Sequence, residues 1–493
     1  MAKAVFTRGS TMRHVLIMTG TSAAGMLAMF SVDLVDMYFL TLLGEQELAA
    51  AVGFAGTLLY FVVSVSIGLQ IAMGALVARA EGSHQRELAG RYCSSSLVFN
   101  TSVAVAICLC AWFWLEELLV FLGASGQTLD YAISYTRILL PSMPILVLGM
   151  SAAAAVRALG DARRSMWATL VGALVNAILD PIFIFGFDWG LEGAAIASVV
   201  ARIVVLVIAG YALVWVHKLP RRPSLAIVRA DLGAIMHIAG PAMLTNIATP
   251  IGGGFVLKTI AQFGDGAVAG AAIMGRITPV AFAAVFALSS AVGPIIGQNA
   301  GAGLYSRVRS TLINAMLINV VYVVLVWGLL WLSGPWIVRG FSASPDAADL
   351  ILFYTRWMVG AFMFTGALFI ANASFNNLHQ PRLATALNFS RVFLGIIPAV
   401  YLGGIWYGAR GVIAGEAVGS IAFGLIGAVA VFGLVRKLDA LHLMPPPEAE
   451  PIVNTVSGFS SADSQMAQPV VQAASDGLLG EEEGAGDGEI GSK

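Results

Sequence analysis

Apolar runs of twenty or more residues recur from one end of the chain to the other, and short polar stretches between them carry most of the charge. Crossing a bilayer takes about 20 apolar residues. Segments near 13–40, 48–76, 92–116, 134–157, 165–187, 192–216, 235–262, 268–296, 310–334, 353–376, 384–405 and 412–435 meet that requirement. The pattern predicts an all-α integral membrane protein with twelve transmembrane helices. The first run, from Val15 to Met29, continues without a convincing small-residue cleavage site, so it reads as a retained span and not a signal peptide.

The polar stretches set an orientation. One set reads "ARAEGSHQRELAGR", "RALGDARR", "HKLPRRPSLAIVRAD", "YSRVR", "HQPR" and "VRKLD", and Lys3, Arg8 and Arg13 join it. The opposite set, "GEQE", "EEL", "DWGLEG", "FGDG" and "RGFSASPDAAD", has Arg339 and Arg410 as its loop arginines. Basic loops stay on the cytoplasmic side, which predicts both termini there, in an inner or plasma membrane. Residues 1–12 read as a cytoplasmic arm, 217–234 as a cytoplasmic linker, and 437–493 as an acidic, disordered cytoplasmic tail rich in Pro, Gly and Ser.

Composition narrows the function classes. The chain is 58% hydrophobic and 11% charged, with a mean hydropathy of +0.85, whereas soluble domains are about 25% charged. A formal net charge of −1 gives no case for nucleic acid as a partner. Cys93, Cys108 and Cys110 make neither a disulfide frame nor a metal set, and the six histidines are isolated. No nucleophile–base grouping stands out, so an enzyme is not expected.

The chain also repeats itself. "YTR" at Tyr135–Arg137 recurs at Tyr354–Arg356, 219 residues later. "ALGDARRSMWATL" faces "NLHQPRLATALNF" at the same offset, and "DWGLEGAAIAS" faces "IWYGARGVIAG" after a one-residue slip. "LLGEQELAAVG" resembles "QFGDGAVAGAA". Residues 13–216 (spans 1–6, an N-lobe) and 235–436 (spans 7–12, a C-lobe) are therefore expected to be two six-helix parallel repeats. An even span count per repeat relates them by an axis along the membrane normal. Two like bundles facing a central cleft suit a carrier.

Polar groups inside the spans are the candidate chemistry. In "VGALVNAILDPIFIFGF", Asn176 and Asp180 are i,i+4 on one helical face, and Pro181 removes a backbone donor. Carboxylate, amide and freed carbonyl oxygens suit a hard cation or a proton. Asp33 and Asp36 are i,i+3 in the first span. The second half lacks the matching groups: Gly395 stands opposite Asn176, Ala399 opposite Asp180 and Val256 opposite Asp36. It carries Lys258 and Arg276 instead, which either pair at helix ends (Lys258 with Asp265) or set the charge preference of a cleft. Arg202, Arg391 and Glu416 are interhelical partners of unassigned pairing.

Pro141, Pro144, Pro241, Pro250 and Pro279 interrupt spans four, seven and eight and are hinge candidates. Tyr38, Tyr60, Met73, Phe282, Phe286, Met363 and Phe369 are candidates for a hydrophobic cleft lining, against the alternative that they pack in cores or face lipid.

The pieces "VDMYFLTLLGEQELAAVG", "RALGDAR", "LVNAILDPIFIFG", "WGLEGAAIAS" and "VGPIIGQNAGAG", in this order, resemble the multidrug and toxic compound extrusion (MATE) family over about residues 10–440. The resemblance implies a twelve-helix antiporter exporting cationic or amphipathic organic compounds against inward H⁺ or Na⁺ flow. It implies that Asp36 is the first-helix acid, that Asn176 and Asp180 complete an N-lobe cation site of the DinF-like branch, and that Ser198 lies near a hydroxyl position of that site. The related NorM branch also has C-lobe acids, with no evident equivalent here. Apart from the coupling ion, H⁺ or Na⁺, no metal or cofactor is expected, and the partners are a small organic substrate and lipid, with the protein a monomer. The rival readings are a flippase for a lipid-linked saccharide and a non-transporting sensor or scaffold that uses the acidic tail.

Overall fold

Backbone N–H and C=O groups in hydrocarbon have no water to bond, so a long apolar run must satisfy them within itself as a helix. The computed structural model describes residues 4–42 and 46–443, without the side chains of Asp33, Tyr38 and several of their neighbours up to Ala49. Those residues form α1 (Thr11–Leu42), α2 (Gln46–Gly82), α3 (Arg86–Phe113), α4 (Leu115–Phe121), α5 (Gly126–Leu139), α6 (Met143–Ala158), α7 (Ala162–Pro181) and α8 (Gly190–Tyr211) in the first half. The second half holds α9 (Leu225–Ile260), α10 (Asp265–Ala281), α11 (Ala283–Gly301), α12 (Tyr305–Gly340), α13 (Pro345–Phe353), α14 (Phe362–Asn377), α15 (Pro381–Ser390) and α16 (Ile397–Leu443). Residues up to Leu441 form one compact unit. The segment His442–Lys493 forms a second, and the expected acidic tail lies almost wholly outside the described residues.

Among the described residues, eleven stretches are long and apolar enough to cross a membrane. The last of them, Pro381–His442, runs for 62 residues. At 1.5 Å per residue a straight helix of that length would be about 93 Å long, three times the hydrocarbon thickness. It is not straight: Gly408 takes φ 61° and ψ −145° and turns the chain back. The two legs then pack on small residues, with Gly411 against Gly403, Gly415 against Ala399 and Gly419 against Gly395. This four-residue rhythm is small-residue packing between membrane helices.

Three boundaries differ from the sequence reading. The expected span 268–296 breaks at Phe282 into α10 and α11, one turn after Pro279. The expected linker 217–234 is helical from Leu225, with Ser224 capping α9. It is also stitched to α3: Arg91 forms a two-point ion pair with the buried Asp231, Ser95 donates to the same carboxylate, and Ser94 bonds Arg221. The residues of the expected arm (1–12) that can be described are not free either, since Phe6 is buried between the halves.

The halves meet through exchanged neighbours. α2 lies along α9, and its repeat counterpart α11 lies along α1. α2 and α11 also meet each other, where Gly82 abuts the Gln298 backbone and Gly301 the Arg79 carbonyl. A side chain at either glycine would strike backbone, so this seam requires glycine.

Candidate functional site

The first-half site is built by α1 against α7. Asp161 caps α7 by accepting from the Arg164 N–H and also takes the His217 ring nitrogen at 2.9 Å. These bonds and the Arg164 charge outweigh burial and hold its carboxyl below the usual aspartate range. The helix starting there brings Asn176 and Asp180 onto the face toward α1. Asn176 Nδ2 donates to both Asp36 oxygens, at 3.2 and 3.1 Å, and to Asp180 Oδ2 at 2.9 Å. One amide thus bridges two carboxyl groups. Asn176 and Asp180 are 6% and 1% exposed, and Asp180 Oδ1 is buried with no hydrogen-bond partner. Pro181 closes α7, and a π-turn over Ile182–Gly186 follows; such turns cluster at functional sites.

The other sequence candidates fall variously. Ser198, half-buried on α8, makes no hydrogen bond to the trio. The side chains of Asp33 and Tyr38 lie outside the described residues. Met73 is fully buried in the first-half core with Val77 and Cys93, and so presents no surface to a cleft. Phe282 is fully buried too, stacked on Phe362 at 4.0 Å. Phe286 is half-buried and packs on Phe362 and Phe369; it also meets Phe30 of α1 across the halves at 6.3 Å. Lys258 and Arg276 are exposed, and the expected Lys258–Asp265 pair does not form among the described residues.

Of the proline candidates, Pro141 sits in a 3₁₀ turn between α5 and α6. Arg202, unassigned from sequence, donates there to the Leu139 carbonyl and the Ser142 hydroxyl. Pro144 lies in the first turn of α6, where a missing N–H costs little. Pro241 and Pro250 lie within an unbroken α9, and the Pro241 carbonyl accepts from Thr385, tying α9 to α15. No group of three His, Cys, Asp or Glu residues able to hold a metal occurs among the described residues.

Sequence reasoning missed a second polar cluster, at the seam between the halves. Phe6 N–H donates to Gln298 Oε1 at 3.1 Å, and Gln298 Nε2 donates to the Ala158 carbonyl at 2.8 Å. The Phe6 carbonyl accepts from Asn299 at 3.2 Å and Arg307 at 2.8 Å. Nearby, Arg79 Nη1 meets His379 Nδ1 at 2.9 Å across the halves. The signal was present in "VGPIIGQNAGAG", where two amides follow an apolar helix.

A duplicated helical bundle with acids buried between its helices is the build of a membrane carrier. The MatE family profile matches residues 22–182 and again 241–401, a displacement of 219 residues, and the chain belongs to that family. It is a MATE-type secondary-active transporter of small organic compounds and not an enzyme. A FAD transporter of Shewanella oneidensis is 27% identical over 419 residues, covering 84% of this chain and 92% of the relative. The probable multidrug resistance protein YpnP of Bacillus subtilis is 24% identical over 415 residues, covering 83% and 92%. The crystal structure of an Asp-to-Asn mutant of the Vibrio cholerae MATE transporter VcmN superposes with a TM-score of 0.84 at 26% identity, covering 88% of this chain and 99% of that one.

Proposed function

We propose that the protein is an antiporter of the DinF-like branch that exports organic, cationic or amphipathic compounds in exchange for H⁺ or Na⁺. Residues 13–216 and 235–436 act as lobes that rock about the seam, joined by 217–234. The eleven apolar stretches make twelve crossings, since the Pro381–His442 run doubles back at Gly408. Basic loops place both termini in the cytoplasm.

The observation that carries the reading is the single Asn176 amide bridging the Asp36 and Asp180 carboxyls. Two carboxylates this close in a low dielectric repel strongly, and one positive charge between them offsets that repulsion. A proton or Na⁺ supplies it, and the unpartnered Asp180 Oδ1 is a further acceptor. Loading the ion from outside draws α1 and α7 together, and substrate leaves. Release inside lets them part, and substrate binds again. The coupling is reciprocal, so the ion and the substrate must favour different conformations. Pro141 and the Pro279–Phe282 break are the places where helices change direction.

The test is transport in proteoliposomes with pH and Na⁺ gradients imposed separately. D36N and D180N each reduce gradient-driven export at least tenfold while the proteins stay folded. Intact export in both refutes the site. A second reading, export of a flavin dinucleotide, draws on the Shewanella relative's name and on the exposed Lys258 and Arg276. FAD in the same substrate panel decides it.

A further inference from the structure

The two halves differ where the repeat should make them alike. Asn176 corresponds to Gly395 and Asp180 to Ala399, and in the second half those positions are closed by Gly419 and Gly415 of the returning leg. No side chain fits there. The repeat places a charge elsewhere. In the first half Gly193 packs on the backbone of Phe183 and Ile184; in the second, Gly411 packs on Gly403. With Gly193 matched to Gly411, Ser198 is matched by Glu416.

Glu416 lies eight residues beyond the Gly408 turn, about 12 Å along the helix and well inside a bilayer. Three faces of its leg are distinguishable. Gly411, Gly415 and Gly419 face the other leg. Ala414, Ala417, Val418 and Ile421 line a groove with Trp327 and Trp357. Glu416 is on the remaining face, where its charge acts on Arg391 and Tyr354. It is exposed and makes no hydrogen bond or ion pair among the described residues. An unpaired carboxylate at this depth belongs in a water-accessible cavity and not in lipid. Arg391 is 6% exposed, and its Nε has no partner among the described residues. It opens a π-turn, Arg391–Ile396. Tyr354 shares a hydrogen bond with Thr278 at 3.0 Å and belongs to the aromatic cluster of Phe282, Phe286, Phe362 and Phe369.

We propose that Glu416, flanked by Arg391 and Tyr354, is the point in the second half that recognises the positive charge of an amphipathic organic substrate. A flat apolar body is accommodated by the half-buried rings of Phe286 and Phe369, and its cationic centre faces Glu416 beside the Tyr354 ring. Arg391 accepts no cation, so it excludes a second one and orients any acceptor atom of the same ligand. This deepens the functional reading above and rests on it. The two sites divide the labour: the first half holds the coupling ion, and the second reads the substrate.

The probe is ethidium, with tetraphenylphosphonium as competitor. In wild type, ethidium binds the purified transporter and moves under an imposed gradient. In E416Q, ethidium affinity falls at least tenfold and KM rises by a similar factor. Transport at saturating ethidium stays within about twofold of wild type, and E416D recovers most of the affinity. A collapse of saturating transport with unchanged KM, or no change in either quantity, overturns the inference. Should E416Q not fold, E416D and Y354F are read the same way, each expected to raise KM severalfold. Failure of wild type to move ethidium under either gradient defeats the functional reading and this inference with it. Wild-type transport with an unaffected E416Q defeats this inference alone.

Discussion

Phe6 is the sharpest place to test how the halves are held together. Its ring is 2% exposed in a cluster that draws on both halves, with Val15 and Met18 of α1 and Ala300, Val308 and Leu312 of α11 and α12. Its backbone also bonds Gln298, Asn299 and Arg307. Phe6→Ala removes the ring and leaves the backbone bonds. Burying a Phe ring is worth about 1.5–3 kcal/mol, and truncating one in a packed site costs about 3–5 kcal/mol. The arm can partly collapse into the space, so ~3 kcal/mol is a fair figure for what the seam loses. Each 1.4 kcal/mol is tenfold, so the ratio of closed to open seam falls by about two orders of magnitude. The assay is maleimide labelling of a cysteine at Ala300, 6% exposed at the seam, with the exposed Cys110 first replaced by Ser and the buried Cys93 and Cys108 retained. F6A speeds labelling at least tenfold. Val5→Ala, at a residue 50% exposed, leaves it unchanged. A second reporter at Ala155, fully buried within the first-half core, stays protected in both, which separates opening from unfolding. Equal Ala300 labelling in F6A and wild type refutes the account of the seam.

Two further outcomes follow from the same packing. Burial, with the Arg79 and His237 charges nearby, pulls the His379 imidazole down from 6.5 to about 4, against a backbone bond near Asn377 that pushes it up. The packed seam therefore binds fewer protons than the open one, is favoured above pH 6.5 and is penalised progressively as pH falls toward 4. Labelling at Ala300 rises between pH 7 and 5, and His379→Asn flattens that rise; a pH-independent wild type would sink the argument. Gly415→Leu places a side chain against the Ala399 carbonyl and the Val400 nitrogen, which are backbone and cannot swing away. It lowers the melting temperature of purified protein steeply, whereas Gly433→Ala, with open space around it, is neutral or raises stability by about 0.5–1 kcal/mol. Similar melting for the two variants would contradict the proposed leg-to-leg contact.

The helices were legible because hydrocarbon leaves a long apolar run one way to satisfy its backbone, and the duplication because "YTR" and its neighbours recur at a fixed offset. The Asn176–Asp180 face was legible for a local reason, since i,i+4 spacing alone puts two side chains together. Asp36 was not legible by spacing. Asp33 shares its face at i,i+3, and only the packing of α1 on α7 selects a partner for Asn176. Rotational position defeated the aromatic and methionine candidates in the same way. Met73 and Phe286 look equally suited to a cleft in sequence, yet one is in a core and the other reaches across the halves. Asp231 reads as one charge in a basic loop, but α3 supplies Arg91 and Ser95 and buries it. Such partners lie more than a hundred residues away, beyond any local periodicity.

The glycines of the returning hairpin explain why the duplicated halves need not carry duplicate sites. In the first half, α7 turns its polar face to α1 and keeps room for an amide and two carboxyls. In the second half, Gly395, Gly415 and Gly419 bring the two legs into backbone contact at the matching depth. Placing Asn and Asp there would require the legs to part and forfeit that packing. A charge in the second half is therefore tolerated only off the leg-to-leg stripe, and Glu416 is one such position. A fold in which one half must respond to a small ion and the other to a larger body gains from this asymmetry. The ion site can stay tight and the other can stay open, because the contact that closes one pair of legs is absent from the other.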